Sequence, residues 1–382
     1  MKRTICLLLI FALAALCFPF SVQAAQPPTI VPSVSAPSAL LMEKMTGQII
    51  YEKNSKEHLH PASVTKIMTM LLIVEDIEAG KLKLEDIVTA SERAASFGGS
   101  CVYLAQGEKM SVSDMLKCIA VVSANDCAVA MAEHMSGSEE AFVGRMNKRA
   151  AELGMKDTNF TNCTGLFDDD NHYTCARDVA IMSRQLIAHE LIKDYSTIWM
   201  DSIRNGEFEL SNTNKLVYWY DGCTGLKTGY TEKAGYCLSA TAERDGVEYI
   251  AVVMKSDSSD SRNYDAEQML SFAFANYALC SMWGDTEAPS IPVELGKSES
   301  VNTFFGGEEL KLLPKTDAAL TYELSCEASV KAPVKRGDRL GMLTVRSGEN
   351  TVATVPLLAA EDVARPGYFG ILGRLAGSML GL

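Results

Sequence analysis

The chain has 382 residues, which is enough for one large domain and one smaller domain. Hydrophobic residues make up 47% and charged residues 22%, proportions that are typical of a globular protein and exclude a disordered one. The formal net charge of −13, without any basic stripe, argues against nucleic acid as a partner.

The N-terminus has the pattern of an export signal. Lys2 and Arg3 precede an apolar run over residues 5–20, and residues 22–24 have the small-x-small pattern of a cleavage site. We predict a signal peptide over residues 1–24 and an exported, extracytoplasmic protein. An uncleaved transmembrane anchor is the alternative, but the apolar run is short and ends in a cleavage pattern.

Cysteine usage favours neither a disulfide framework nor a metal site. Nine cysteines follow the predicted signal, an odd number at irregular spacings and without a Cys-x-x-Cys pair. We therefore expect mostly free, buried thiols and predict no metal and no cofactor.

The first half of the chain reads as a hairpin followed by helices. Strand-like runs at residues 39–42 and 48–51 flank a turn and predict the hairpin. The next helical run begins at Ser63 and is apolar nearly all round, which predicts a helix buried inside a domain. Residues 111–160 and 176–192 predict further helices.

The second half changes to a strand pattern. Runs at residues 227–230, 236–242 and 249–254 predict an antiparallel meander, and residues 264–281 predict a helix that covers one of its faces. Helices on a largely antiparallel sheet give an α+β architecture. We predict a large domain over residues 25–284, a small all-β domain over residues 289–362 and an amphipathic tail over residues 363–382. The tail suits a membrane interface, with a frayed or core-docked end as the alternative.

Three short motifs carry the candidate chemistry. Ser63-Val64-Thr65-Lys66 is the only Ser-x-x-Lys in the sequence. A serine and a lysine three residues apart share one helix face, so a nucleophile lies beside a potential base. Ser123-Ala124-Asn125 falls at a break between two predicted helices, and Lys227-Thr228-Gly229 lies at the end or edge of a predicted strand.

These motifs, in this order, resemble those of the penicillin-binding protein and serine β-lactamase superfamily. The resemblance is closest to the low-molecular-mass D-alanyl-D-alanine carboxypeptidases and covers roughly residues 38–360. It implies a β-lactamase/transpeptidase-like domain followed by a small all-β domain. It also implies that peptidoglycan stem peptides are the substrates and that β-lactam antibiotics are inhibitors.

The resemblance also implies a role for each site residue. Ser63 attacks the carbonyl between two terminal D-alanines, Lys66 is the base and Ser123 relays the proton to the leaving amine. Burial and the charge of Lys227 are expected to favour neutral Lys66. The residues implied to bind the substrate are Asn125, Lys227, Thr228, Gly229, Tyr230 and Arg262.

Within this group, Lys227, Thr228 and Arg262 are implied to bind the terminal carboxylate. The main-chain N–H groups of Ser63 and Tyr230 are implied to form the oxyanion hole. Relatives often carry histidine where this chain has Tyr230. A surface arginine beside Asp257 and Asp260 is the alternative role for Arg262.

Other functions fit the sequence less well. A class A β-lactamase needs a glutamate base downstream of Ser123, and residues 158–171 contain none. A peptidoglycan endopeptidase and a non-hydrolytic penicillin-binding sensor remain open. A metallopeptidase has little support, because His58 and His60 lack the His-x-x-x-His spacing with a glutamate.

The expected location is the outer face of the cell membrane.

Overall fold

The computed structural model describes residues 31–368 and residue 370. The predicted signal peptide over residues 1–24 and most of the predicted tail over residues 363–382 lie outside the described residues. In the part of the chain that is described, no helix is both long and apolar enough to cross a membrane.

The α-helices of the described chain are α1 Lys66–Glu78, α2 Glu92–Ala95, α3 Val112–Val121, α4 Asn125–Ser136, α5 Glu139–Glu152, α6 Ala176–Leu186, α7 Lys193–Ser196, α8 Leu216–Trp219 and α9 Ser259–Asn276. The strands are β1 Ser38–Glu43, β2 Ile49–Lys53, β3 Ile87–Thr89, β4 Lys109–Ser111, β5 Met200–Ile203, β6 Phe208–Ser211, β7 Cys223–Thr231, β8 Gly235–Arg244, β9 Val247–Ser256, β10 Tyr277–Ser281, β11 Ile291–Glu294, β12 Ser300–Val301, β13 Thr303–Phe305, β14 Leu310–Pro314, β15 Leu320–Cys326, β16 Val330–Lys331, β17 Arg339–Ser347 and β18 Asn350–Ala359.

The central sheet has five antiparallel strands in the order β2-β1-β9-β8-β7. The predicted hairpin supplies β1 and β2, and the predicted meander supplies β7, β8 and β9. Strand β1 closes the sheet onto the meander, with Ser38 opposite Met254. Strand β7 is left at the edge of this sheet, so one side of it is not paired with another strand of the sheet.

Successive side chains of a strand point to opposite faces of the sheet. Apolar side chains lie on both faces of this sheet, and helices cover both. Leu40 and Val252 contribute to the core on one face, which also contains the apolar residues of α1. Leu41 and Val253 point to the other face, where α9 packs. This arrangement confirms the predicted α+β fold class.

Helix α1 is buried on all sides, as predicted. The residues from Ile67 to Val74 are at most 5% exposed, and Lys66 at the first position is fully buried. Gly80, with φ of 70°, follows the end of the helix as expected for a C-terminal glycine. A rigid, buried helix therefore carries Lys66.

The bounds predicted for two helices were wrong. The predicted helix over 264–281 begins earlier, because the Ser258 side chain caps it by accepting from Ser261 N–H. It also ends earlier, at Asn276, because Tyr277–Ser281 pairs with β14 as strand β10. The predicted helix over 176–192 ends at Leu186 and is followed by a short 3-10 turn.

From Ile291 onward the chain forms short sheets with the orders β12-β11-β16 and β13-β18-β17-β15. Their apolar sides enclose two small cores, one around Leu357 and the other around Leu343. These strands confirm the small all-β part of the predicted fold class.

The nine cysteines between Cys101 and Cys326 are all free thiols, in agreement with the expectation from their spacing. Five of them are buried: Cys118, Cys127, Cys163, Cys175 and Cys237.

Candidate active site

Ser63 lies in a 3-10 turn over Ala62–Thr65 that continues directly into α1. This geometry places the side chain of Lys66, three residues later, on the same side as Ser63. The distance from Lys66 Nζ to Ser63 Oγ is 2.9 Å. The nucleophile and the candidate base predicted from the sequence are therefore in hydrogen-bonding contact.

The amine of Lys66 is held by acceptors from two further segments. Its Nζ donates to Asn125 Oδ1 at 2.6 Å and to the main-chain oxygen of Thr164 at 2.9 Å. Ser123 Oγ is farther away, at 3.5 Å. A neutral amine has two N–H bonds and one lone pair. Because both amide oxygens can only accept, they take the two N–H bonds and leave the lone pair for Ser63 Oγ.

Burial favours this neutral form of Lys66. The side chain is fully buried, and burial lowers its pKa from 10.5 to about 7. The acidic groups of Cys163, Cys101 and Asp126 act in the opposite direction and raise the pKa. Burial is thus the cause that lowers the pKa of Lys66, and the contribution expected from the charge of Lys227 is not among the causes.

The Ser123 motif lies where α3 ends and α4 begins, as predicted. Ser123 has a φ of 65°, in the left-handed region, and is only 3% exposed. Asn125 is the first residue of α4. Its Oδ1 contacts Lys66, and its Nδ2 donates to Gly98 O at 2.8 Å. Asn125, which the resemblance implies to bind the substrate, therefore also holds Lys66, and its Nδ2 has a partner within the protein.

Lys227, Thr228 and Gly229 lie within edge strand β7, next to the Ser63 turn. Lys227 is 1% exposed, and its Nζ donates to Thr228 O at 2.9 Å. Burial lowers the pKa of Lys227, and the nearby charges of Lys66 and Arg262 lower it further. The strand therefore brings a second buried amine close to the first.

Gly229 allows the strand to approach the turn. A Cβ atom at this position would lie 2.9 Å from Pro61 O, 3.0 Å from Val64 N and 3.1 Å from Ser63 N. The glycine thus permits main-chain contact between β7 and the turn that holds the nucleophile. The next residue, Tyr230, has a half-exposed ring that packs on Tyr236 with centroids 4.4 Å apart.

Arg262 lies in the first turn of α9, because this helix begins before the predicted range of 264–281. It is 5% exposed, so the alternative role as a surface arginine is wrong. Its Nε donates to Asn263 Oδ1 at 3.1 Å, and its Nη2 donates to Ser259 Oγ at 3.2 Å. The effect of its charge on Lys227 indicates that the two cations are near each other.

The main-chain oxygen of Thr164, which accepts from Lys66, was not predicted from the sequence. Gly165 has a φ of 72°, and a Cβ atom there would lie 1.8 Å from Ala62 O. The loop is fixed by Asn162 Oδ1, which accepts from Gly165 N–H at 2.6 Å. Close packing at this glycine brings the Thr164 carbonyl to the amine. The sequence feature that indicates this turn is the Asn-x-x-Gly pattern of residues 162–165, which follow α5.

Comparison with known proteins places this site in a family. Residues 21–258 match peptidase family S11, described as D-alanyl-D-alanine carboxypeptidase. Residues 285–365 match the C-terminal domain of penicillin-binding protein 5. The chain is 41% identical over 349 residues to the D-alanyl-D-alanine carboxypeptidase DacF of Bacillus subtilis strain 168, covering 90% of this chain and 89% of that protein.

Solved structures give the same result. Penicillin-binding protein 5 of Haemophilus influenzae is 28% identical with a TM-score of 0.77, covering 89% of this chain and all of that chain. Penicillin-binding protein D2 of Listeria monocytogenes, in its ampicillin-bound form, is 28% identical with a TM-score of 0.58, covering 63% of this chain and 98% of that chain. The family model and these relatives together show that the chain belongs to the D-alanyl-D-alanine carboxypeptidase family S11.

Proposed function

We propose that the protein is a serine D-Ala-D-Ala carboxypeptidase that removes the terminal D-alanine from peptidoglycan stem pentapeptides. The observation that carries the proposal is the 2.9 Å contact between Ser63 Oγ and the buried Nζ of Lys66. Family membership and the names of the relatives, which are D-alanyl-D-alanine carboxypeptidases, agree with it.

The reaction begins when the neutral amine of Lys66 takes the proton of Ser63 Oγ. The oxygen attacks the carbonyl between the two D-alanines, and an acyl-enzyme forms on Ser63. The amine of the departing D-alanine needs a proton, which Lys66 returns through the hydroxyl of Ser123. Water then hydrolyses the ester and releases the shortened peptide. The 3.5 Å distance from Lys66 Nζ to Ser123 Oγ supports this relay.

The charge that develops on the attacked carbonyl oxygen needs two donors. We assign them to the main-chain N–H groups of Ser63 and Tyr230. The support is the close packing of Gly229 against Ser63 N, which brings the main chain of β7 beside the turn.

The terminal carboxylate of the substrate is assigned to Lys227, Thr228 and Arg262. Burial lowers the pKa of both Lys227 and Arg262 in the free protein, and the charges of Lys66 and Arg262 lower that of Lys227 further. An anion bound beside them favours their charged forms and raises both pKa values. The site is therefore complementary to a peptide that ends in a free carboxylate.

Penicillin provides the first test, because a β-lactam acylates the same serine. Mass spectrometry of the protein mixed with benzylpenicillin should find an adduct on Ser63, and Ser63→Ala should lose it. The absence of any adduct on Ser63 contradicts the proposed mechanism. The ampicillin-bound state of the related Listeria protein is the reason for choosing this reagent.

Release of D-alanine provides the second test and separates the proposal from its alternatives. A carboxypeptidase releases D-alanine from a pentapeptide ending in D-Ala-D-Ala. An endopeptidase cleaves cross-linked dimers instead, and a non-hydrolytic sensor forms the penicillin adduct without turnover.

Export and a location on the outer face of the cell membrane complete the proposal. The basic and apolar pattern of residues 1–24 supports export. Apolar residues in the last 15 positions support peripheral attachment. Cell fractionation, before and after removal of residues 363–382, tests the attachment.

A further inference from the structure

The segment Asn212-Thr213-Asn214 borders the candidate site and has no role in the mechanism above. Its two asparagines are buried and bonded within the protein. Asn212 Nδ2 donates to Ile198 O at 2.7 Å, and Asn214 Nδ2 donates to Gly225 O at 2.8 Å. Thr213, between them, is exposed. The segment therefore presents one polar side chain on a firmly held main chain.

Two hydrogen bonds fix Thr213 between the two halves of the site. Its main-chain N–H donates to Val121 O at 3.0 Å, at the end of α3 and two residues before Ser123. Its Oγ1 accepts from Thr228 Oγ1 at 2.7 Å. The first bond joins Thr213 to the end of α3, and the second joins it to β7. Thr213 therefore lies where these two segments approach each other.

The direction of the second bond matters, because a threonine hydroxyl has only one proton. Thr228, which is 6% exposed, donates its proton to Thr213. A carboxylate only accepts, so the Thr228 hydroxyl cannot donate to it while this bond is made, and Thr228 contributes to the carboxylate site by supporting Thr213. The proton of Thr213 is available, since this hydroxyl donates to none of the described residues in the structure.

We propose that Thr213 is a further substrate-binding residue, whose hydroxyl donates to the terminal carboxylate of the substrate. The bond from Thr228 then supports this donor by polarising its oxygen. The inference rests on the proposed function and deepens it, because it adds a neutral, exposed donor to the buried cations Lys227 and Arg262. Since hydrogen bonds to charged acceptors are the stronger ones, Thr213 selects a free carboxylate over an ester.

Acylation by benzylpenicillin and by its methyl ester tests this selection, because the two differ only at the carboxylate. Thr213→Val removes the hydroxyl and keeps the branched shape, whereas Thr213→Ser keeps the hydroxyl. We expect Thr213→Val to lower the second-order acylation constant for the acid roughly ten- to hundredfold. The constant for the ester should change less than about threefold, because it lacks the charged acceptor.

Thr213→Ser should behave like the wild-type protein. Thr197→Val is the matched control, because Thr197 is also exposed and its hydroxyl donates within the protein, to Lys193 O at 2.6 Å. This control should leave both constants unchanged. Thr213→Ala provides a second test of the same loss if the valine variant folds poorly.

The outcomes separate this inference from the proposed function. Suppose that the wild-type protein is acylated, but that the ratio of the acylation constants for the acid and the ester does not fall in Thr213→Val or Thr213→Ala. This result overturns the role of Thr213 and leaves the proposed function intact. Wild-type protein that benzylpenicillin does not acylate at Ser63 overturns the proposed function and the role of Thr213 with it.

Discussion

The acylation rate of Ser63 should follow the protonation of Lys66. Burial lowers the pKa of this lysine from 10.5 to about 7. Only the neutral amine has a lone pair that can take the proton of Ser63. The rate should therefore rise with pH up to neutrality and then level off.

The expected size of the effect follows from this pKa. With a pKa of about 7, roughly 1% of the amine is neutral at pH 5, half at pH 7 and about 99% at pH 9. Acylation should speed up about fiftyfold between pH 5 and 7, and only about twofold between pH 7 and 9. If Lys66 had an ordinary pKa, the acylation rate would instead rise about tenfold per pH unit over the whole range.

The assay is the second-order rate constant for acylation by benzylpenicillin, quenched with acid and quantified by intact mass between pH 5 and 9. His60 lies just before Pro61 and is the histidine nearest in sequence to Ser63. His60→Gln is therefore the control and should reproduce the wild-type profile. A rate that still rises tenfold per unit up to pH 9, or one that is flat from pH 5, refutes the argument that burial activates Lys66.

Three substitutions test other parts of the structure. Asn125→Asp puts a carboxylate at the 2.6 Å contact with Lys66, so it should raise the lysine pKa, slow acylation at pH 7 by about tenfold or more and move the profile to higher pH. Gly229→Ala puts a Cβ atom 2.9 Å from Pro61 O, so the strand must shift and acylation should slow by about tenfold. Met70→Ala, at a fully buried position of α1, should lower the free energy of unfolding by about 2–5 kcal/mol in urea titrations.

Each of these has a control or a contradicting result. For Gly229→Ala the control is Gly144→Ala, since a Cβ atom at this helical glycine has no neighbour within 4 Å and should not slow acylation. For Met70→Ala the control is Met45→Ala, because Met45 is 53% exposed. An Asn125→Asp variant with an unshifted profile would contradict the contact with Lys66.

Much of the fold and the site could be predicted because local patterns determine them. The spacing of Ser63 and Lys66 on one helix face required only the geometry of a helix. The apolar run of α1 was enough to predict that Lys66 is buried. The alternation of apolar and polar residues predicted the strands of the meander. Because β7 pairs with β8 only among the described strands, Lys227 lies at the edge of the sheet.

The rest depended on contacts distant in sequence. Residues 277–281 are apolar and continue the pattern of α9, and only their pairing with β14 makes them a strand. Arg262 was placed before the helix, because the first turn of α9 is polar and has no apolar period. The Thr164 carbonyl was missed because a main-chain oxygen has no side-chain signature in the sequence.

The buried amine of Lys66 also affects folding. In the unfolded chain a lysine titrates near its ordinary pKa, whereas in the folded protein the pKa of Lys66 is about 7. Between pH 7 and 10.5 the unfolded chain therefore binds a proton that the folded protein does not, so raising the pH through this range favours folding. Below pH 7 the folded protein must hold a buried ammonium, and the full destabilisation is present. The residue that makes Ser63 reactive thus weakens the fold under neutral and acidic conditions, and the apolar packing of α1 has to offset that loss.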